Sequence, residues 1–424
     1  MALRTSLPMF TVLPAVLRAM LAALFFTAAP THSATPDASE LALRAELDKG
    51  LARGMPSISL AIATRQGVIW EGAVGYADLN SRSRAHPGYL YGIGSITKMF
   101  VACVVEQFID EGTLRLDASV RDLLGDSVIA GVPNADRATV RQLLDHTSGI
   151  PSWEFDPEWI RHGRGAEMDV SHSWGKTEAL DYLKSGRDKP THEPGLGYGY
   201  SNTNYTLLGL IIEKVTGRQA VTEVHERILA PLGLMDIHFE GFEPLDESRL
   251  PSRYHFGTAD FLRDAGMHST FRRVLGPNVH GPLIDVSRSN LSIEWTAGAM
   301  VATARDLALF ARALRDGHVV GPAALARMRA FRPTDDKDED MGQGLARDRY
   351  GKEVLIGYTG NVLGFGAAVG WVPNEDVVIA LMTNVGAMHA GESAYYPEKL
   401  LKETDLILAA RELARSLAPH PPFH

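Results

Sequence analysis

The sequence predicts an α/β (α+β) fold: an antiparallel sheet built from both chain ends, flanked by terminal helices, with a mostly helical domain inserted between them. Three observations carry this. Near the start, Ile58, Leu60 and Ile62 alternate, Arg65-Gln66-Gly67 turns the chain, and Val68 to Tyr76 returns as a second strand. Near the end, Gly364 to Val372 and Val377 to Thr383 repeat that scheme around the turn residues Pro373-Asn374-Glu375-Asp376. The long middle reads as helices instead.

The elements follow in order. Residues 1–34 carry Arg4 and Arg18 and an apolar run, Ala19 to Ala29, broken only by Thr27. A run of about 11 is too short for a membrane span and fits a signal-peptide core, with cleavage expected near Ala34. The mature protein is then expected to be exported, periplasmic or secreted, with no stable membrane span. "SELALRAELDKGLARG" reads as a first helix. The sheet domain is assigned to residues 35–92 and 300–424, and the helical domain to 93–299.

Within that middle, "NYTLLGLIIEKVTG" is a helix stopped by Gly217, and "EVHERILAPLGL" one ended at Pro231. Residues 251–290, rich in Gly, Pro, His and Arg, read as a loop insertion, and "TDDKDED" at 334–340 as a solvated loop. "TARDLALFARALRDG" opens with Thr303 and Asp306 in capping-box spacing. In the closing helix, Leu406, Ile407, Ala410, Leu413, Ala414 and Leu417 share one face.

Composition narrows function. A formal net charge of −9 argues against nucleic acid, because phosphate binding needs a basic face. Cys103 is the single cysteine, so no intrachain disulfide or cysteine metal site can form. The 15 histidines include no His-Glu-x-x-His pair, so no metal and no cofactor are expected. Oligomeric state leaves no trace in the sequence.

Chemistry concentrates at "GIGSITKMFVACVVEQF". Ser95 and Lys98 are three apart, on one face of a helix that is apolar nearly all round. Either Lys98 snorkels to solvent or the pair reacts. Serine is a poor nucleophile until a neighbour takes its proton, and burial lowers a lysine's pKa enough to let it do so. The bare pattern is weak, since Ser173 and Lys176 repeat it in a polar stretch. Two further tripeptides strengthen it. Tyr200-Ser201-Asn202 sits on a glycine-rich loop before a helix: tyrosine can shuttle a proton, and asparagine can hold a substrate carbonyl. Tyr358-Thr359-Gly360 lies at a strand edge, where the Asn361 and Ser95 backbone N–H groups would form an oxyanion hole.

Ser95-x-x-Lys98, Tyr200-x-Asn202 and the third tripeptide, in that order, resemble the serine β-lactamase and penicillin-binding-protein superfamily. The Tyr-x-Asn form is similar to the branch of class C β-lactamases, D-alanyl-D-alanine carboxypeptidases, D-aminopeptidases and related esterases. "LLDHTSGIPSW", "ILAPLGLMD", "TAGAMVATARDLALF" and "YTGNVLGFG" resemble it too. The resemblance implies a β-lactamase/transpeptidase-like fold. It makes Ser95 the acylated nucleophile, Lys98 its base and Tyr200 the relay to the leaving group. Asn202 would orient the acyl side chain, Tyr358, Thr359 and Gly360 would bind substrate, and the Ser95 and Asn361 amides would hold the oxyanion. His146 would be structural.

One departure bears on substrate. The resemblance implies lysine or histidine where this chain has Tyr358. Tyrosine carries no positive charge, and losing a charge-assisted hydrogen bond costs about 1.5–3 kcal/mol. Preference for a free carboxylate should weaken, unless Arg263, Arg272 or Arg273 of the insertion restores the charge. The expected partner is a small ester, amide or peptide substrate, with esters ranked first, D-amino-acid peptides second and β-lactams third. A non-catalytic binding protein on the same fold is the rival class.

Overall fold

The computed structural model describes residues 38–267, 273–274 and 283–418, so the expected signal peptide lies outside the described residues. Helix α1 (Ala38–Ala52) leads into strands β1 (Ser57–Thr64), β2 (Gly67–Asp78) and β3 (Ser83–Arg84). The distal strands are β4 (Arg332–Pro333), β5 (Glu339–Met341), β6 (Ala346–Tyr350), β7 (Glu353–Val362), β8 (Phe365–Trp371) and β9 (Val378–Thr383). They join as one nine-stranded sheet in the order β4-β5-β6-β7-β8-β9-β1-β2-β3. The two chain ends meet where β1 pairs antiparallel with β9, Leu60 opposite Leu381.

The helices that position the site are α2 (Thr97–Asp110), α3 (Asn202–Thr216), α4 (Trp295–Gly298), α5 (Ala304–Arg315), α6 (Pro397–Glu403) and α7 (Leu406–Ser416). Helix α2 is buried on nearly every side, as its apolar run requires, and Phe100 stacks on Phe310 of α5 with centroids 3.7 Å apart. Helix α5 lies on the sheet, and its first turn is capped by the Thr303 hydroxyl, which accepts from the Asp306 N–H. Among the described residues, no helix is long and apolar enough to cross a membrane.

Three sequence expectations change. The helix through Ile228 does not end at Pro231. Its α-helical turns widen to a π-turn at His225–Leu229, and a last turn, Ala230–Leu232, carries Pro231 in its first positions before Gly233. A wide turn followed by a fresh start tolerates the missing N–H of proline. The 251–290 insertion is not simply a loop: Tyr254–Phe256, Arg273–Val274 and Leu283–Asp285 form a small sheet with Val385–Gly386, and Ala259–Asp264 is helical. Those strands are too short for alternation to show. Finally, Glu339 and Asp340 of the acidic stretch belong to β5, where Asp340 is buried and paired with Arg347 and Arg349.

Candidate active site

Ser95 sits on a tight turn, Gly94–Ile96, that feeds directly into α2. The turn requires glycine twice. Gly94 adopts φ +52°, and a Cβ there would come within 3.0 Å of the Asn361 nitrogen. A Cβ on Gly360 would lie 2.0 Å from the Ile93 carbonyl and 3.0 Å from the Ser95 nitrogen. The Ser95 turn and the edge of β7 therefore touch backbone to backbone. That brings the Ser95 and Asn361 amides into one locality, beside a helix N-terminus.

Two side chains converge on the Ser95 hydroxyl, which lies 2.6 Å from Tyr200 Oη, 105 positions away, and 3.0 Å from Lys98 Nζ. Lys98 is fully buried. It donates to Asn202 Oδ1 at 2.6 Å and to the Ala297 carbonyl at 2.7 Å. A neutral amine has two hydrogens and one lone pair. Both hydrogens are taken by carbonyl oxygens, so the lone pair is left for the Ser95 proton. Burial pulls the Lys98 pKa well below the usual lysine value, and the carboxylates of Glu154 and Glu294 pull it only partway back.

Tyr200 keeps its proton, because burial and the Glu154 charge push its pKa well above that of a free phenol. Its loop is held by His146, whose Nδ1 accepts from the Ser201 N–H at 3.1 Å and whose ring lies 4.6 Å from the Tyr200 ring. Burial pushes the pKa of that histidine well below the usual value, and Lys98 adds to this whenever its amine is protonated. Asn202 opens α3 and spends its carbonyl oxygen on Lys98, which leaves its amide NH2 to meet a substrate carbonyl.

The sequence reading missed the charges behind Lys98. Glu154 and Glu294 are 4% and 2% exposed, and Glu294 pairs with the equally buried Arg164. A hydrogen-bond chain ties Glu154 to the site: the Asn202 N–H donates to Ser152 Oγ at 2.9 Å, which donates to Glu154 Oε1 at 3.0 Å. The available signal was an acid flanked by large apolar residues, as in Trp153-Glu154-Phe155 and Ile293-Glu294-Trp295.

Around the third motif, Thr359 hydrogen-bonds the Glu398 carboxylate on α6. Tyr358 is 4% exposed and its hydroxyl has no partner among the described residues. Arg263 does not supply the missing cation: it is exposed and pairs with Asp260 and Asp264 on its own helix. Arg272 and the Arg273 side chain lie outside the described residues. The unpartnered phenol yields a prediction. Tyr358→Phe should stabilise the fold by about 1 kcal/mol, the cost of an unsatisfied buried hydroxyl, while lowering kcat/KM if that group meets substrate. Urea unfolding alongside steady-state kinetics checks both signs.

Comparison with known proteins bears on the fold and the family. Residues 43–401 match the family model described as Beta-lactamase. The structure of D-amino acid amidase from Ochrobactrum anthropi SV3 complexed with L-phenylalanine amide superposes with a TM-score of 0.75 at 27% identity, covering 89% of this chain and 99% of that one. A D-stereospecific amidohydrolase from Streptomyces sp. gives 0.68 at 28% identity, covering 83% and 95%. A putative D-alanyl-D-alanine carboxypeptidase of Escherichia coli (strain K12) is 29% identical over 206 residues, 45% of this chain and 46% of that one. The chain spans less than half the length of the curated relatives it matches. The family match takes in the sheet, the helical middle and every residue gathered around Ser95, and the chain belongs to the β-lactamase family of serine hydrolases.

Proposed function

We propose that the protein cleaves small esters or amides that lack a free carboxylate beside the scissile bond, through an acyl-enzyme on Ser95. The observation that carries this is the approach of Lys98 Nζ and Tyr200 Oη to a single hydroxyl. Ser95 Oγ attacks the carbonyl carbon as its proton passes to the Lys98 lone pair. The carbonyl π pair moves onto oxygen, where the Ser95 and Asn361 N–H groups stabilise it. Tyr200 then protonates the leaving oxygen or nitrogen as that bond breaks, and the Lys98 ammonium returns a proton to Tyr200. Water repeats the steps on the ester to release the acid.

The uncharged Tyr358 supports substrates without a carboxylate at that place. Esters remain the leading class on this ground. D-amino-acid amides are the second reading, favoured by the likeness to the Ochrobactrum and Streptomyces enzymes over nearly their whole lengths. The N-terminal sequence supports an exported, periplasmic or secreted site of action.

A fluorophosphonate probe tests the nucleophile: intact mass should rise by one adduct, and Ser95→Ala should abolish it. An unlabelled wild-type protein would favour the binding-protein reading. An aryl ester, a D-amino-acid amide, a D-Ala-D-Ala peptide and a chromogenic cephalosporin then rank the substrates. The two carboxylate-bearing compounds are expected to trail by about 10–100-fold in kcat/KM. Rapid peptide turnover with negligible ester and amide cleavage would reverse the ranking.

A further inference from the structure

Resting on the Ser95 acyl-enzyme reading, we infer that His146 is the positioning residue for Tyr200. The acceptor on its ring fixes the phenol for leaving-group protonation, and with it the range of leaving groups the enzyme can expel. The His146 carbonyl accepts from the Gly199 N–H at 2.9 Å, and its ring Nδ1 accepts from the Ser201 N–H at 3.1 Å. One residue therefore holds the chain on both sides of Tyr200. Its ring also lies 4.6 Å from the phenol ring, inclined by 30°. Further along the same segment, the Pro151 carbonyl accepts from the Thr203 hydroxyl at 2.7 Å, and Ser152 Oγ accepts from the Asn202 N–H at 2.9 Å. Those contacts anchor the start of α3, whereas the contacts of His146 anchor Tyr200 itself.

Geometry makes Nδ1 an acceptor. Besides Ser201, the Asn204 amide NH2 approaches it to 3.4 Å, and that amide is oriented because its carbonyl oxygen accepts from Ser148 Oγ at 2.8 Å. Two donors leave no room for a hydrogen on Nδ1, so the ring proton sits on Nε2. That nitrogen is buried and has no hydrogen-bond partner among the described residues. The His146 backbone is left-handed as well, at φ +57°. A residue kept for packing alone gains nothing from a buried, unpaired N–H, which an apolar ring of similar size avoids. The acceptor explains the histidine. Tyr200 Oη lies 2.6 Å from Ser95 Oγ, and a misplacement of about 1 Å at a reacting group costs about 100-fold in rate. The step that suffers is proton donation, in which the Tyr200 O–H gives its proton to the leaving atom as the bond to the acyl carbon breaks. A group that departs as a stable anion needs no such proton; an alkoxide or an amine does.

Two esters of one acid test this, one with a 4-nitrophenyl and one with an ethyl leaving group. Tyr200→Phe is the reference, expected to lower kcat/KM about 100-fold for the ethyl ester and less than about three-fold for the nitrophenyl ester. His146→Phe keeps a ring and removes the acceptor, and is expected to reproduce that selective loss. In the double variant the two losses should not add, as expected of residues that act through one phenol. His146→Asn places an amide oxygen where Nδ1 stood and suits a left-handed backbone, so its ratio between the esters should stay within about three-fold of wild type. His146→Leu, close to asparagine in shape but without the acceptor, should show the selective loss and replaces the Phe variant if that does not fold. Each ratio is taken on one preparation, so a change in the folded fraction cancels. Equal losses on both esters, or none, in the Phe and Leu variants would overturn the positioning role while Tyr200→Phe leaves the relay standing. If the wild-type protein cleaves neither ester, or Tyr200→Phe loses both equally, the acyl-enzyme and relay reading falls and takes this inference with it.

Discussion

Lys98→Met is expected to lower kcat/KM by about three orders of magnitude while leaving the protein folded, because on the proposed mechanism it removes the group that accepts the Ser95 proton. A purely structural lysine would also be missed, since its charge sits near Glu154 and Glu294. Lys98→Arg separates the two roles. Arginine keeps the positive charge but cannot surrender a proton near neutrality. If Lys98 only balances buried carboxylates, arginine should restore activity. If it is the base, arginine should be as inactive as methionine, with a melting temperature closer to wild type. The pH profile adds a second readout. The proposed mechanism requires the neutral amine, so kcat/KM should rise with pH through the Lys98 pKa. Burial places that midpoint well below the value of an ordinary lysine. A midpoint near 10 would place the base elsewhere.

How far the sequence discloses this site depends on how each part is encoded. Ser95 and Lys98 are legible because three residues on a helix are neighbours whatever else folds. Strand pairs β1–β2 and β8–β9 are legible because each hairpin carries its own turn. The backbone contact between Gly94 and Gly360 could be expected only through a resemblance, since no local pattern links residues so far apart. The charges behind Lys98 leave still less trace. Arg164 and Glu294 are 130 positions apart, and a pairing between distant segments has no period. Glu398 reads as an ordinary acid in the first turn of "PEKLLKE"; its meaning comes from the sheet face beneath it. Position on the folded surface, which residue type alone does not report, also turned part of an acidic loop into strand β5.

The buried pair of Arg164 and Glu294 should show the largest stability effect. Arg164 is 1% exposed, lies 4.9 Å over the Trp159 ring, and is the paired cation of Glu294. Arg164→Met strands a carboxylate in an apolar interior, at a cost of about 3–5 kcal/mol by urea unfolding. The double variant Arg164→Met/Glu294→Met should recover most of that loss, because apolar side chains of similar volume need no solvation. If it does not recover, the cost came from packing on Trp159 and not from the stranded charge. The same pair bears on catalysis. Glu294 helps to hold the proton on Lys98, so Glu294→Met should lower the Lys98 pKa further and move the acidic limb of kcat/KM to lower pH. A stabilising device alone would leave that limb where it was. A joint shift of stability and pH profile would show that the buried charges set the protonation of the amine beside Ser95.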